Sequence, residues 1–136
     1  MNYPVFRFGS PECVLTVFFE KTDLYSCSQN SLKYLNSMEQ FYVIDSNGNR
    51  FDLSNPKFEV PLSFWDKIAG IFSIKMRPIT WVVEESDKVT VNELKNLIMN
   101  DFSENISVWQ ATDYELIKKN VEQANTIEEI FKAFSN

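Results

Sequence analysis

The chain has 136 residues, of which 44% are hydrophobic, and it carries a formal net charge of −6. This length fits a single domain over residues 1–136, and 12 Phe, 5 Tyr and 3 Trp supply the core that a disordered chain would lack. The absence of histidine excludes Ser-His-Asp and Cys-His nucleophilic sites and histidine-ligated metals.

The excess of negative charge lies towards the C-terminus. Residues 1–83 hold 8 acidic and 8 basic side chains, whereas residues 84–136 hold 11 acidic and 5 basic ones. A protein that binds phosphates needs a basic patch. This sequence shows none, so we expect no direct contact with nucleic acid. An acidic surface instead suits a basic protein partner, although acidic helix faces also simply keep small domains soluble.

Compartment and membrane association are predicted from the cysteines and the N-terminus. Cys13 and Cys27 lack the spacing of a disulfide framework or a zinc site, so we expect reduced thiols. The N-terminus has no basic region before an apolar run, and no run reaches the roughly 20 residues that a spanning helix needs. The sequence predicts a cytoplasmic, soluble protein without a membrane segment.

The first half of the chain is typical of antiparallel strands. Residues 5–8 and 13–20 are rich in aromatic and β-branched side chains and predict a first hairpin. Residues 28–38 are ambiguous, because apolar side chains recur at three-residue steps, as in a short helix, while a strand stays open.

A second hairpin is predicted for residues 40–45 and 50–53. The turn between them contains Asn47-Gly48, which supplies the positive φ angles of tight hairpin turns. A calcium loop also begins with oxygen ligands at the spacing found here, but Arg50 stands in place of its glycine and Pro56 in place of its glutamate. The hairpin therefore explains these residues better.

The segment PLSFWDKIAGIF, residues 61–72, predicts a short amphipathic helix near 63–72. Ser63 is a good N-cap and Asp66 stands at N3. One face carries Phe64, Ile68, Ile71 and Phe72, with Trp65 and Ala69 beside it. A membrane-lying helix would carry Lys and Arg along its polar face, which is close to neutral here. We expect this helix to pack its apolar face into the core at one end of the sheet, with an interface as the alternative that an exposed Trp65 would indicate.

Residues 74–84 predict a further strand, bent, bulged or at an edge because Pro78 cannot donate to a ladder. Glu84 ends this strand, and with the following Glu85 it forms the obvious carboxylate pair to consider for acid and base catalysis. Adjacent strand residues point to opposite faces, so the two cannot share a catalytic site.

Three helices are predicted after residue 89, each beginning with a capping box. The boxes are Thr90-x-x-Glu93, Thr112-x-x-Glu115 and Thr126-x-x-Glu129, in which each side chain caps the other's backbone N–H. Apolar residues recur at helical spacing after each box. Strands followed by helices predict an α+β fold: an antiparallel sheet of about five strands with three C-terminal helices packed on one face.

Trp109 lies in the polar stretch SENISVWQATD between acidic neighbours. A tryptophan there is either mostly buried or an interface anchor, since tryptophan is enriched among binding hot spots. Acidic neighbours would suit a basic partner. The sequence leaves both alternatives open.

The order YVIDSNGNRFDL, PLSFWDKIAGIF, IKMRPITWVVEES, VTVNELKNLIMNDF and a terminal helical pair resembles small cytoplasmic immunity proteins of bacterial polymorphic and contact-dependent toxin systems. The resemblance covers residues 40–136 and rests on layout and acidity. It implies a non-enzymatic inhibitor that binds a cognate toxin, often a nuclease, through acidic and aromatic side chains presented to a basic cleft. Charge and context place that surface at Glu84, Glu85, Asp87, Trp109, Asp113 and Glu115.

The prediction is thus a protein-binding module with no catalytic residue, cofactor or metal. Its expected partner is a protein, such as a basic toxin domain, and neither nucleic acid nor a membrane. The alternative is a structural or adaptor domain that self-associates or joins a larger assembly.

Overall fold

The computed structural model describes residues 1–10, 13–71 and 74–135, which form an α+β fold, as predicted. The strands are β1 (Val5–Ser10), β2 (Cys13–Phe18), β3 (Ser26–Cys27), β4 (Gln40–Asp45), β5 (Arg50–Phe58) and β6 (Arg77–Glu85). The helices are α1 (Lys21–Leu24), α2 (Gln29–Ser37), α3 (Phe64–Ile71), α4 (Val91–Glu104), α5 (Ile106–Trp109), α6 (Tyr114–Gln123) and α7 (Ile127–Ala133).

The strands form one antiparallel sheet in the order β2-β1-β4-β5-β6-β3. Both predicted hairpins are present, as the pairs β1–β2 and β4–β5. The sheet has one strand more than expected, because the two-residue β3 pairs with the start of β6. The ambiguous stretch around residues 28–38 is helical as α2, and the Ser28 side chain accepts a hydrogen bond from the Ser31 N–H at its start.

The sheet separates two hydrophobic cores. Alternation along β1 sends Phe6 and Phe8 to one face and Val5 to the other, as strand geometry requires. The first core lies under the C-terminal helices and includes Leu94, Ile98, Phe102, Val121 and Ile130. The second lies under α1 and α2 and includes Leu24, Leu35, Phe41, Phe51 and Trp81. The buried Cys27 is a free thiol in this second core.

The C-terminal helices cover only part of their face of the sheet. Their core takes side chains from β1, β2 and β4, but none from β5 or β6 among the described residues. On the β5–β6 half of this face the side chains of Ser54, Val82 and Glu84 are exposed. The helix layer therefore leaves an open strip of sheet beside α4.

The β4–β5 turn depends on Asp45 and Gly48. The buried Asp45 carboxylate accepts hydrogen bonds from the backbone N–H groups of Asn2, Asn47 and Asn49 at 2.9 to 3.0 Å. Within the described residues of the turn, Gly48 alone has a positive φ, at 81°, so Asn47 does not take the left-handed conformation that the Asn-Gly pair predicted. The turn carboxylate is thus used to organise backbone.

The strand irregularity predicted at Pro78 lies instead on the neighbouring strand. The β5–β6 register shifts between Ser54 and Lys57, where Asn55 has a φ of 49° and Pro56 follows. A bulge tolerates a proline because the ladder is already interrupted there. Pro78 itself lies opposite Ser26 of the short β3.

Of the three predicted capping boxes, one forms in full. At α4 the Glu93 N–H donates to the Thr90 hydroxyl at 3.2 Å, and the Thr90 N–H donates to the Glu93 carboxylate at 2.7 Å. At α7 Thr126 caps the Glu129 N–H at 3.1 Å, but the Glu129 carboxylate accepts from Asn125.

The box predicted at Thr112 is wrong. The Thr112 hydroxyl donates to the Trp109 carbonyl at 2.8 Å, and α6 begins one residue later, after Asp113. The hydroxyl is therefore bonded to the last residue of α5. The sequence does not predict α5 as a separate helix.

The expectation that α3 buries its apolar face is also wrong. Phe64, Trp65, Ile68 and Ile71 are 69%, 76%, 40% and 53% exposed, and no described residue of α3 is buried. Its half-buried residues are Asp66 and Gly70, which lie four residues apart and so share one side of the helix. Phe72, predicted on the same apolar face, lies outside the described residues.

The inward side of α3 is fixed by its contact with α2. The Gln29 side chain of α2 occupies the space where a Cβ on Gly70 would lie, and its amide donates to the Lys67 carbonyl at 3.2 Å. On the same side Arg77 lies 3.5 Å from the Asp66 carboxylate. A glycine and polar contacts therefore hold α3 to the protein and turn its apolar face outward.

Candidate functional site

The acidic residues predicted from charge lie in two separate groups. Glu84 and Glu85 end β6, and both are exposed on opposite faces of the sheet, because Glu84 lies across from Asp52 and Glu85 across from Phe51. Asp113 and Glu115 flank the start of α6. The α4 helix lies between the two groups, and its 14 residues span about 21 Å. The six predicted residues therefore do not form one compact site.

Asp87 lines a cleft of about 400 Å³ between the strand ends and α4. The Arg50 guanidinium in this cleft lies 3.9 Å above the Tyr42 ring and 3.1 Å from the Asp52 carboxylate. Glu93, also in the cleft, accepts the hydrogen bond that caps α4. Much of the charge in the cleft thus has an internal partner, whereas the exposed Asp87 makes no ion pair within the described part of the chain.

Trp109 is half-buried and connects α5 to the first core. Its indole N–H donates to the Asp101 carboxylate at 2.8 Å, and its ring meets Phe102 edge-on at 4.8 Å between centroids. Between the two alternatives that the sequence left open, this geometry favours a packing role for the indole.

Asp101 is a buried carboxylate that the sequence analysis did not identify. It accepts hydrogen bonds from the Leu15 N–H at 3.0 Å, from the Asn105 amide at 3.1 Å and from Trp109. Burial raises the pKa of this carboxyl above its usual range, and the three hydrogen bonds oppose that shift. The sequence does contain a signal for this burial, because Asp101 lies at helical spacing on the same face as the buried Leu94 and Ile98.

The outward face of α3 is the most exposed apolar surface among the described helices. We define the α3 surface as Phe64, Trp65, Ile68 and Ile71. The rings of Phe64 and Trp65 meet edge-on with centroids 5.6 Å apart. The described residues that follow α3 continue this character, because Ile74 is 91% exposed and Met76 is 58% exposed. Contiguous exposed apolar side chains of this kind mark interaction sites.

A groove of about 590 Å³ runs beside the α3 surface, between α2, the end of β5 and the start of α3. We call it the lysine groove. It is lined by Gln29, Leu32, Lys33, Asn36, Lys57, Phe58, Pro61, Leu62 and Lys67. Leucine, phenylalanine and proline side chains supply its apolar part, and lysines from three different elements border it.

Comparisons with protein-family models, with curated proteins and with solved structures found no match for this chain. Over the described residues, no cluster of three or more acidic or cysteine side chains has a geometry that could hold a metal ion. None of the helices in the described part of the chain has both the length and the apolar character needed to cross a membrane.

Proposed function

We propose that this chain is a non-enzymatic protein-binding module whose main contact is the α3 surface. The observation that supports the proposal is the orientation of α3: its apolar face, with the exposed Trp65 beside it, points away from both cores. Burying one such large side chain contributes about 1.5 to 3 kcal/mol. Tryptophan in particular is enriched among the residues that dominate binding energy.

The partner that we propose is a toxin domain that the chain neutralises by covering its active cleft. This finer proposal follows the resemblance to immunity proteins and the acidic balance of the chain, with its net charge of −6. The exposed Glu84, Glu85 and Asp87 would raise the association rate with a basic cleft through long-range attraction. Asp113 and Glu115, at the start of α6, are proposed as a second acidic contact.

Co-expression with a candidate toxin domain, sought first in the neighbouring reading frame, tests the proposal. We expect rescue of growth, a stable heterodimer and an association rate that falls as salt concentration rises. Trp65→Ser should weaken the complex by at least tenfold, about 1.4 kcal/mol, while leaving stability unchanged because the side chain is 76% exposed.

The matched control is Phe19→Ser, directly after β2 at the edge of the sheet, which removes another aromatic side chain that is 48% exposed. This variant should bind like the original chain. Absence of both rescue and complex would refute the toxin partner, and equal losses for the two variants would refute the α3 surface as the main contact.

Self-association is the second candidate, and the same apolar face supports it. Two copies related by a two-fold axis would bring identical patches together. Light scattering at micromolar concentration should then show a dimer that persists at high salt and is lost on Trp65→Ser. A monomer under these conditions would exclude it.

A further inference from the structure

The lysine groove has positive charge without a matching carboxylate of its own. Lys33 lies on α2, Lys57 on β5 and Lys67 on α3, and all three side chains are exposed. None of the residues that line the groove in the described part of the chain is acidic, and no ion pair involves these three lysines there.

The nearest acidic residue on α3 already has partners. The Asp66 carboxylate accepts from the Ser63 N–H at 3.3 Å and lies 3.5 Å from Arg77. No ion pair joins this carboxylate to the adjoining Lys67 in the described structure. The groove combines apolar side chains with three lysines. A partner surface that alternates apolar side chains and carboxylates would complement it.

We infer that the lysine groove binds an acidic amphipathic segment of the protein partner. This inference rests on the proposed function and names the chemistry of what binds beside α3. The nine residues of α2 that form one wall span about 13 Å, which accommodates two to three turns of a bound helix. Apolar side chains of the segment contact Leu32, Phe58 and Leu62, and its carboxylates meet the lysines.

The shape and charge of the molecule favour a protein segment over a lipid surface. The groove is a depression between α2 and α3. A helix that lies on a bilayer instead inserts protruding apolar side chains and carries Lys and Arg on its polar face. The net charge of −6 also opposes approach to an anionic membrane.

Selection of peptides on the full-length chain tests the inference. We would use a displayed random library of peptides about 12 residues long, which is about three helical turns. The selected sequences should be enriched in Glu and Asp, with apolar residues at helical spacing. Amide chemical shifts on binding should change for residues of α2 and α3 and not for those of α6.

Charge reversal supplies the matched comparison. The pair Lys33→Glu and Lys67→Glu should weaken binding of the selected peptides by at least about tenfold. The pair Lys118→Glu and Lys119→Glu on α6 changes the net charge equally and lies on the opposite layer of the sheet, so binding should change by less than about twofold. The neutral pair Lys33→Gln and Lys67→Gln should give an intermediate loss.

Other outcomes would overturn the inference. These are selected peptides without acidic enrichment, equal losses for the two charge-reversed pairs, or binding to phosphatidylserine vesicles that depends on Lys33 and Lys67 while no peptide is selected. A partner complex that is lost on Trp65→Ser but survives reversal of the groove lysines would refute the groove and leave the binding function standing.

Discussion

Asp101 shows how one residue can join three parts of the fold. The residue is 7% exposed, and its carboxylate accepts hydrogen bonds from β2, from the residue directly after α4 and from the α5 indole. An isolated carboxylate would be costly to bury, but three donors replace the water that it loses. The Asp101 carboxylate therefore has a structural role, which is to hold β2, α4 and α5 together.

Replacing this carboxylate by an amide should be costly. The Asp101→Asn side chain keeps only one accepting oxygen, and its N–H₂ group replaces the other. Depending on the orientation of the amide, this N–H₂ group points at the donor of Trp109 or at the donors of Leu15 and Asn105. We expect the free energy of unfolding in urea to fall by about 1 to 3 kcal/mol. Asp113→Asn, at an exposed site, should change it by less than about 0.5 kcal/mol. Equal effects of the two substitutions would contradict the assigned role.

The difference in stability between the original chain and Asp101→Asn should depend on pH in a defined direction. Burial raises the pKa of Asp101 in the folded state above its ordinary value of 3.8, so between these two values the folded chain binds more protons than the unfolded chain. The contribution of this group to stability is fully present below 3.8 and is lost as pH rises through the raised pKa. The stability of the original chain relative to Asp101→Asn should therefore increase as pH falls from neutrality towards about 4. A difference that is constant with pH would contradict it.

At the scale of elements, the same motif has different outcomes at three helices. The sequence assigns equal capping boxes to Thr90, Thr112 and Thr126, whereas the structure gives a cap to the first and third. The Thr112 hydroxyl has a nearer acceptor in the Trp109 carbonyl. Local spacing predicts that a helix begins nearby, and neighbouring backbone decides which hydrogen bond forms.

Three matched substitutions test this difference. Thr90→Ala and Thr126→Ala should each lower the free energy of unfolding by about 1 kcal/mol, since each leaves a helix N–H without its acceptor. Thr112→Ala removes only an exposed hydroxyl-to-carbonyl bond and should lower it by less than about 0.5 kcal/mol. Urea unfolding of the three variants measures the order. A cost at Thr112 equal to that at Thr90 would restore the predicted box.

The orientation of α3 illustrates what periodicity cannot supply. Spacing correctly predicts a short helix near 63–72 with one apolar face. Which face turns inward depends on Gln29, on another helix, and on the room that Gly70 leaves for it. Helical spacing contains no information on this contact, and so it predicts that the most apolar helix face packs into the core.

At the scale of the molecule, the central sheet is a shared wall between two cores. Val43 faces one core and Ile44, next to it on β4, faces the other. A strand cannot unfold without exposing both sets of side chains, because adjacent residues project to opposite faces. The two layers should therefore unfold together, as the predicted single domain requires.

Core substitutions on either side of the sheet test this coupling. Leu94→Ala in one core and Leu35→Ala in the other should each lower the free energy of unfolding by about 2 to 5 kcal/mol. Tryptophan fluorescence and far-ultraviolet circular dichroism should follow one coincident transition in each variant. Two separate transitions, or a variant that shifts only one probe, would show that the layers unfold independently.

The sequence by itself determined the fold class, both hairpins, the helical C-terminal half and the opposite directions of Glu84 and Glu85. These features follow from local rules, since turn residues, residue alternation and helical spacing act over a few neighbouring positions. The tertiary structure decided the rest: the outward face of α3, the burial of Asp101, the packing of Trp109 and the lysines that border one groove. Each of these depends on residues from distant parts of the chain, and the physical reason is that the free space, the available donors and the exposed charge are set where separate elements meet.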